Sequence, residues 1–235
     1  MTYCPLRPYM LCPLYSFNNM DIDVTDFDEY RDEEEDRQAG FAFVRFLHAS
    51  PNTPPVDIYI DDRKAVSNLV YASIAGYAAL PSTFQKITVF PLGETREPLL
   101  TFTINPSKNS YRTIVIAGLS PNIQHRTYKD SDEFIPGNES HFRFVHMSPA
   151  TPSLDVVTET GQTLFSSVTF GRVADYISLT PNIYRLRLRI AGTPNEVLGL
   201  PEITFRGSRA YTIYAIGLLG GTPPLAAVMV ADGRR

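Results

Sequence analysis

Tryptophan is absent from this chain of 235 residues, and cysteine occurs twice, as Cys4 and Cys12. Two cysteines exclude a disulfide-stapled scaffold, a c-type haem attachment motif and a four-cysteine zinc site. The four histidines, at positions 48, 125, 141 and 146, match no zinc-ligand spacing. No glycine-rich phosphate loop is present either, so neither a metal nor a cofactor is expected. Helical periodicity is also missing: no stretch of ten or more residues repeats its apolar positions at a helical interval. The start lacks a basic region followed by an apolar stretch, so no standard amino-terminal leader is expected. The longest uncharged run, 210–231, is interrupted by Gly220-Gly221-Thr222-Pro223-Pro224. Neither side of that break crosses a hydrocarbon layer of ~30 Å as a helix, so no membrane insertion is expected. The run reads as two strands around a turn.

Hydrophobic residues make up 43% of the chain, enough for a packed core, which excludes a wholly disordered protein. Nineteen prolines and fourteen glycines point to a turn-rich, all-β chain. Charge is distributed unevenly. Ten acidic residues between Asp21 and Asp36 face only Arg31, a local net charge of −9 that leaves +5 for the rest of a chain totalling −4. Such a block reads as a solvated arm. Before it, Cys4-Pro5-Leu6 recurs as Cys12-Pro13-Leu14, and prolines at this density oppose both helix and central strand. Residues 1–40 are therefore expected to form an extended Cys/Pro-containing and acidic arm. Both thiols lie in it, as candidates for an intermolecular disulfide.

From Phe41 onward the sequence repeats. Val44-Arg45-Phe46-Leu47-His48-Ala49-Ser50-Pro51 matches Phe142-Arg143-Phe144-Val145-His146-Met147-Ser148-Pro149 at an offset of 98. Val56-Asp57-Ile58 then matches Leu154-Asp155-Val156, and Tyr71, Tyr77 and Leu80 match Phe170, Tyr176 and Leu179. Tyr111 to Leu119 matches Tyr211 to Leu218, with small drifts of offset as loop insertions produce. The repeat predicts two units, 41–134 and 141–232, joined by a connection short enough to keep them docked or close. Tyr184-Arg185-Leu186-Arg187-Leu188-Arg189-Ile190 alternates strictly, apolar on one face and arginine on the other. Lys86 to Phe90, Leu100 to Ile104 and Tyr111 to Ala117 are further strand candidates. Seven or eight short strands per unit suit a small Greek-key sandwich.

His48, Ser50 and Asp57, with His146, Ser148 and Asp155, carry the residue types of a hydrolytic triad. No nucleophile elbow or oxyanion loop accompanies them. Ser before Pro commonly caps a turn and Asp commonly accepts backbone N–H groups, so these six are expected to form a structural motif. Catalysis is not expected. Arg185, Arg187 and Arg189 form a candidate basic interaction face, but a solvated strand face is the commoner outcome. The acidic arm opposes binding of a polyanion, and no nucleic-acid partner is expected.

His48-Ala49-Ser50-Pro51, followed by Pro55-Val56-Asp57-Ile58-Tyr59-Ile60-Asp61-Asp62, resembles the signature of the bacterial domain-of-unknown-function family 4397. Tyr77, Leu80-Pro81 and the apolar strand before Gly118 fit the same pattern. His146-Met147-Ser148-Pro149, Leu154-Asp155-Val156, Tyr176 and Leu179 repeat it more loosely. The second copy departs at Thr158-Glu159-Thr160-Gly161, where the first has Ile60-Asp61-Asp62-Arg63. The resemblance implies an Ig-like β-sandwich, often in tandem, in proteins mostly outside the cytoplasm or at the bacterial surface, with no established catalytic activity. The expected fold is all-β, with two tandem Ig-like antiparallel β-sandwiches behind the acidic arm. The expected function is a structural or adhesive role at a bacterial cell or spore surface, with self-association or other surface proteins as partners. A module binding a sugar, peptide or small molecule is the alternative, and a hydrolase the third reading.

Overall fold

The computed structural model describes residues 40–233. Cys4 and Cys12, and the arm that holds them, lie outside the described residues. Among the described residues the secondary structure is strand alone. The first half contains β1 (Phe41–His48), β2 (Val56–Ile60), β3 (Arg63–Leu69), β4 (Ala78–Pro81), β5 (Gln85–Pro91), β6 (Leu100–Ile104), β7 (Tyr111–Leu119) and β8 (Asn122–Asp130). The second contains β9 (Ser140–His146), β10 (Leu154–Thr158), β11 (Thr163–Val168), β12 (Ile177–Leu179), β13 (Asn182–Tyr184), β14 (Leu186–Ile190), β15 (Glu196–Gly199), β16 (Ile203–Phe205), β17 (Arg209–Ile216) and β18 (Ala226–Asp232).

Each half sets two four-stranded sheets face to face. In the first the orders are β4-β1-β7-β8 and β3-β2-β5-β6, and in the second β12-β9-β17-β18 and β11-β10-β14-β15, with β13-β16 as an additional pair. The orders correspond strand for strand. Two strands of the first half are each split in the second. Arg185 interrupts the alternating stretch from Tyr184 to Ile190, so it becomes the end of β13 and the whole of β14. The uncharged run near the carboxyl end forms β17 and β18 around its Gly-Pro turn, and no helix is long and apolar enough to cross a membrane among the described residues.

The sheets are not antiparallel throughout. β1 pairs with β7 in parallel, Phe46 opposite Ile114, and β9 pairs with β17 in parallel, Phe144 opposite Ile213. Parallel neighbours need a long crossover, and here the intervening strands supply it by visiting the opposite sheet.

Burial along each strand shows what lies on its two faces. β5 and β6 keep exposed positions, Lys86 and Thr101 among them, because their sheet faces solvent on one side. β1 and β7 are buried almost continuously. One face of β1, with Val44 and Phe46, joins the core of the first half, along with Ile58, Ile87 and Ile114. The other face, with Leu47, joins a separate cluster that includes Val115 and Tyr128 of the first half and Val145, Tyr214 and Ile216 of the second. The second half has its own core around Phe142, Phe144, Leu188 and Phe205. The halves are thus two sandwiches packed sheet against sheet through a third apolar layer.

Candidate functional site

His48 and His146 end the strands that open each half, β1 and β9. The Nδ1 of His48 accepts from the amide of Ser50 at 3.3 Å, and its Nε2 contacts the carbonyl of Pro54 at 3.1 Å. An amide can only donate and a carbonyl can only accept, so the proton sits on Nε2 and the ring is neutral. His146 repeats the arrangement with the amide of Ser148 at 3.2 Å and the carbonyl of Pro152 at 3.1 Å. Both rings are fully buried. Burial lowers the pKa of each, opposed by the carbonyl at Nε2.

The two serines are engaged in the same way. Ser50 donates to the carbonyl of Gly118 at 2.8 Å and lies 2.5 Å from the Thr53 hydroxyl, which therefore donates to it. Ser148 does so with Gly217 at 2.6 Å and Thr151 at 2.6 Å. The carbonyl-bearing glycine has a left-handed backbone, φ +82° at Gly217, and a Cβ there would stand 2.1 Å from the carbonyl oxygen of Pro224. A side chain is excluded by strain and by space together. Each His–Ser pair thus ties the turn after the first strand to the end of a neighbouring parallel strand.

Asp57 and Asp155 belong to a different assembly. Asp57 Oδ1 accepts the amide of Asn68 at 2.9 Å, and Oδ2 accepts Lys64 Nζ at 2.7 Å and the amide of Gly93 at 3.3 Å. Asp155 accepts the amides of Ser167 at 2.7 Å and Gly192 at 3.0 Å. Asn68 and Ser167 both have positive φ, 53° and 54°, near the register shifts of the β2–β3 and β10–β11 ladders. One carboxylate therefore holds an irregular strand and a turn at once. Burial works against the charge on Asp57, but Lys64 and the two amides outweigh it and lower its pKa. The structure pairs each His with its Ser and places Asp57 among Lys64, Ser67, Asn68 and Gly93 instead. No described hydrogen bond joins it to His48.

Arg185, Arg187 and Arg189 do line one side of the second sandwich, but each is met by glutamate. Arg185 pairs with Glu159 at 3.3 Å and Glu202 at 2.5 Å, while Arg187 and Arg189 share Glu196 at 2.8 and 3.2 Å. Alternating signs leave no uniformly basic surface for a polyanion. Among the described residues no group of three or more His, Cys, Asp or Glu is placed to hold a metal ion.

The largest concentration of buried charge lies between the halves. Arg45 of β1 donates Nε–H to Thr113 at 2.8 Å, one terminal N–H to the carbonyl of Ala231 at 2.8 Å, and another to Asp232. Arg143 of β9 donates Nε–H to Thr212 at 2.7 Å, one terminal N–H to the carbonyl of Lys129 at 2.6 Å, and another to Asp130 at 2.5 Å. Each aspartate is also held within its own half: Asp130 by Thr113 and Tyr77, both at 2.6 Å, and Asp232 by Thr212 and by Tyr176 at 2.7 Å. Each guanidinium stacks over the tyrosine of its own half, at 4.4 Å for Arg45 on Tyr77 and 4.5 Å for Arg143 on Tyr176. Two arginines and two aspartates balance: the closest pairs, Arg45 with Asp232 and Arg143 with Asp130, cross from one half to the other, while Arg45 also stands 3.5 Å from Asp130 of its own half. Burial disfavours the charge on Arg45, but the carboxylates of Asp130 and Asp232 more than offset it and raise its pKa. Burial and neighbouring Asp130 push up the pKa of Asp232, against the pull of both guanidiniums.

Beside this cluster an open cleft of about 370 Å³ is lined by Lys129, Asp132, Glu133, His141, Asp175 and Tyr176. The sequence does not mark Asp130 or Asp232 for this cluster. Arg45, Arg143, Tyr77 and Tyr176 lay within the repeat and were its most direct signal: a repeated arginine in an otherwise apolar strand.

Residues 42–157 match the model of the family described as Domain of unknown function (DUF4397). The match supports the family resemblance of the sequence, running from β1 into β10 and taking in both His–Ser motifs and both aspartates. No curated protein matches the chain. Among solved structures, the Bacillus anthracis TIE protein is similar over 80% of this chain and 34% of that one, at 13% identity and a TM-score of 0.24. The chain thus spans about a third of that protein's length.

Proposed function

We propose that the chain is a non-catalytic structural protein of a bacterial cell or spore surface, a rigid body of two sandwiches that self-associates or joins other surface proteins through its N-terminal arm. Its support is the use to which the reactive residue types are put. His48, Ser50, His146 and Ser148 spend their donors and acceptors on closing turns, and Asp57 and Asp155 on bracing strands. A general base needs a free lone pair beside its nucleophile, and each Nδ1 already accepts an amide proton. The surface setting rests on the family resemblance, and the connecting role of the arm on the confinement of both cysteines to it.

Electron microscopy of the purified full-length protein under oxidising conditions tests this reading. Assemblies that dissolve on reduction are expected, and a chain lacking residues 1–36 is expected to fold but form no such reducible assemblies. Equal assembly by the truncated chain rules out the arm as connector.

The open cleft beside Tyr176 favours a second reading, a module for a small polar ligand. Binding in a glycan or peptide array that Asp175→Ala abolishes, by a protein that never assembles, would replace the structural reading with this one.

A further inference from the structure

The contact between the halves combines two patterns. Its polar part is reciprocal: Arg45 with Asp232 and Arg143 with Asp130, each aspartate braced by the Thr and Tyr of its own half. Its apolar part is not reciprocal. Where the first half has Ala49, the second has Met147, and where the first has Val115 and Ala117, the second has Tyr214 and Ile216. Tyr128 of the first half is matched by the smaller Val230 of the second. Met147 Sδ lies 3.9 Å from the Tyr128 hydroxyl across the layer, so a pair of first halves would set Ala49 in the place of Met147 and leave a void against Tyr128. The surface of a first half is therefore made for a second half, and any second half serves, whichever chain carries it.

The connection between the halves bears on which chain that is. Ser131 is bound at its amide by Tyr176 at 3.2 Å, while the carbonyls of Pro136 and Glu139 accept from the Ser208 amide at 3.2 and 2.9 Å. Ile135 is buried. That leaves Asp132, Glu133 and Phe134 as an exposed hinge, with Phe134 90% exposed. Each half keeps a hydrophobic core of its own if the hinge straightens. Short hinges between complementary units favour exchange between copies, because the exchanged form keeps every contact and changes only the hinge.

We propose that this interface also joins separate copies of the chain: the first half of one copy closes on the second half of another, giving an exchanged dimer with two interfaces of the kind formed within one chain. This association uses neither the N-terminal arm nor its cysteines.

Deletion of residues 132–134 from the full-length chain tests it, with mass read by light scattering under reducing conditions. Too short to close on itself, this chain is expected to have twice the mass of one copy. Adding Arg45→Asp sets a third carboxylate beside Asp130 and Asp232 and is expected to return it to single-chain mass. The wild-type chain, concentrated and annealed below its melting temperature, is expected to yield the same dimer, persisting on dilution and absent from Arg45→Asp alone. A hinge-deleted chain of single-chain mass, or a dimer indifferent to Arg45→Asp, overturns the proposal.

Discussion

Arg45 and Asp232 stand 187 positions apart in the chain and form a buried ion pair across the two sandwiches. Arg143 and Asp130 complete the exchange in the opposite sense. The charges come from the first strand of each half and from the end of the last, and the shortest pairs are made between halves, Arg45 standing farther, at 3.5 Å, from Asp130 of its own half.

Removing one partner of such a pair leaves a buried charge uncompensated. Arg45→Met is expected to lower stability by about 3–5 kcal/mol in urea denaturation. Arg45→Met with Asp232→Leu is expected to recover part of that loss, since the orphaned carboxylate is gone. A single variant as stable as wild type would mean that the pair is exposed in solution.

Asp57→Ala removes the acceptor of the Asn68 and Gly93 amides. A stability loss of about 1–3 kcal/mol is expected, together with faster hydrogen exchange at those two amides. Asp57→Asn keeps one acceptor oxygen and should lose less. Unchanged exchange at Asn68 would contradict the bracing role.

Tyr71 carries a buried hydroxyl with no hydrogen-bond partner in the structure, and burial pushes its pKa up to about 12. The matching position in the second half is Phe170, which packs its ring edge-on to His146 at 6.4 Å as Tyr71 does to His48 at 6.2 Å. Tyr71→Phe is therefore expected to be neutral or to stabilise by about 1 kcal/mol in thermal denaturation. A clear loss of stability would mean that the hydroxyl has a partner.

The two buried histidines make stability depend on pH. Each has a folded-state pKa below the ordinary 6.5, so below that pH the unfolded chain binds more protons. Stability then falls as pH drops through about 6.5, by up to about 1.4 kcal/mol per pH unit for each histidine, until the folded-state values are reached. Urea midpoints between pH 7.5 and 5 should show this slope, and His146→Asn should reduce it. A midpoint independent of pH over that range would contradict the neutral, Nε2-protonated assignment.

Much of this architecture is legible in the residues. Alternation marks β5, β6 and β14 because they lie on sheets with one wet face, and the repeat of His, Ser and Asp at matched spacing marks the turn locks. The polar face between the halves is harder to read. Arg45 and Arg143 sit at positions where a one-sided strand would turn an arginine to water, and only the other half shows them to be buried. Asp130 and Asp232 lie 102 positions apart, against 98 for the histidines, because loops inserted between them shift the repeat. The glutamates that neutralise Arg185, Arg187 and Arg189 come from different turns and strands, so the arginine ladder alone suggests a more basic face than the one that forms.

Differential scanning calorimetry of the full-length protein tests most directly whether the exchanged ion pairs bind both sandwiches into one body. A single transition is predicted for the wild type, with calorimetric and van't Hoff enthalpies equal, separating into two in Arg45→Met. Two independent wild-type transitions, unmoved by Arg45→Met, would contradict the account.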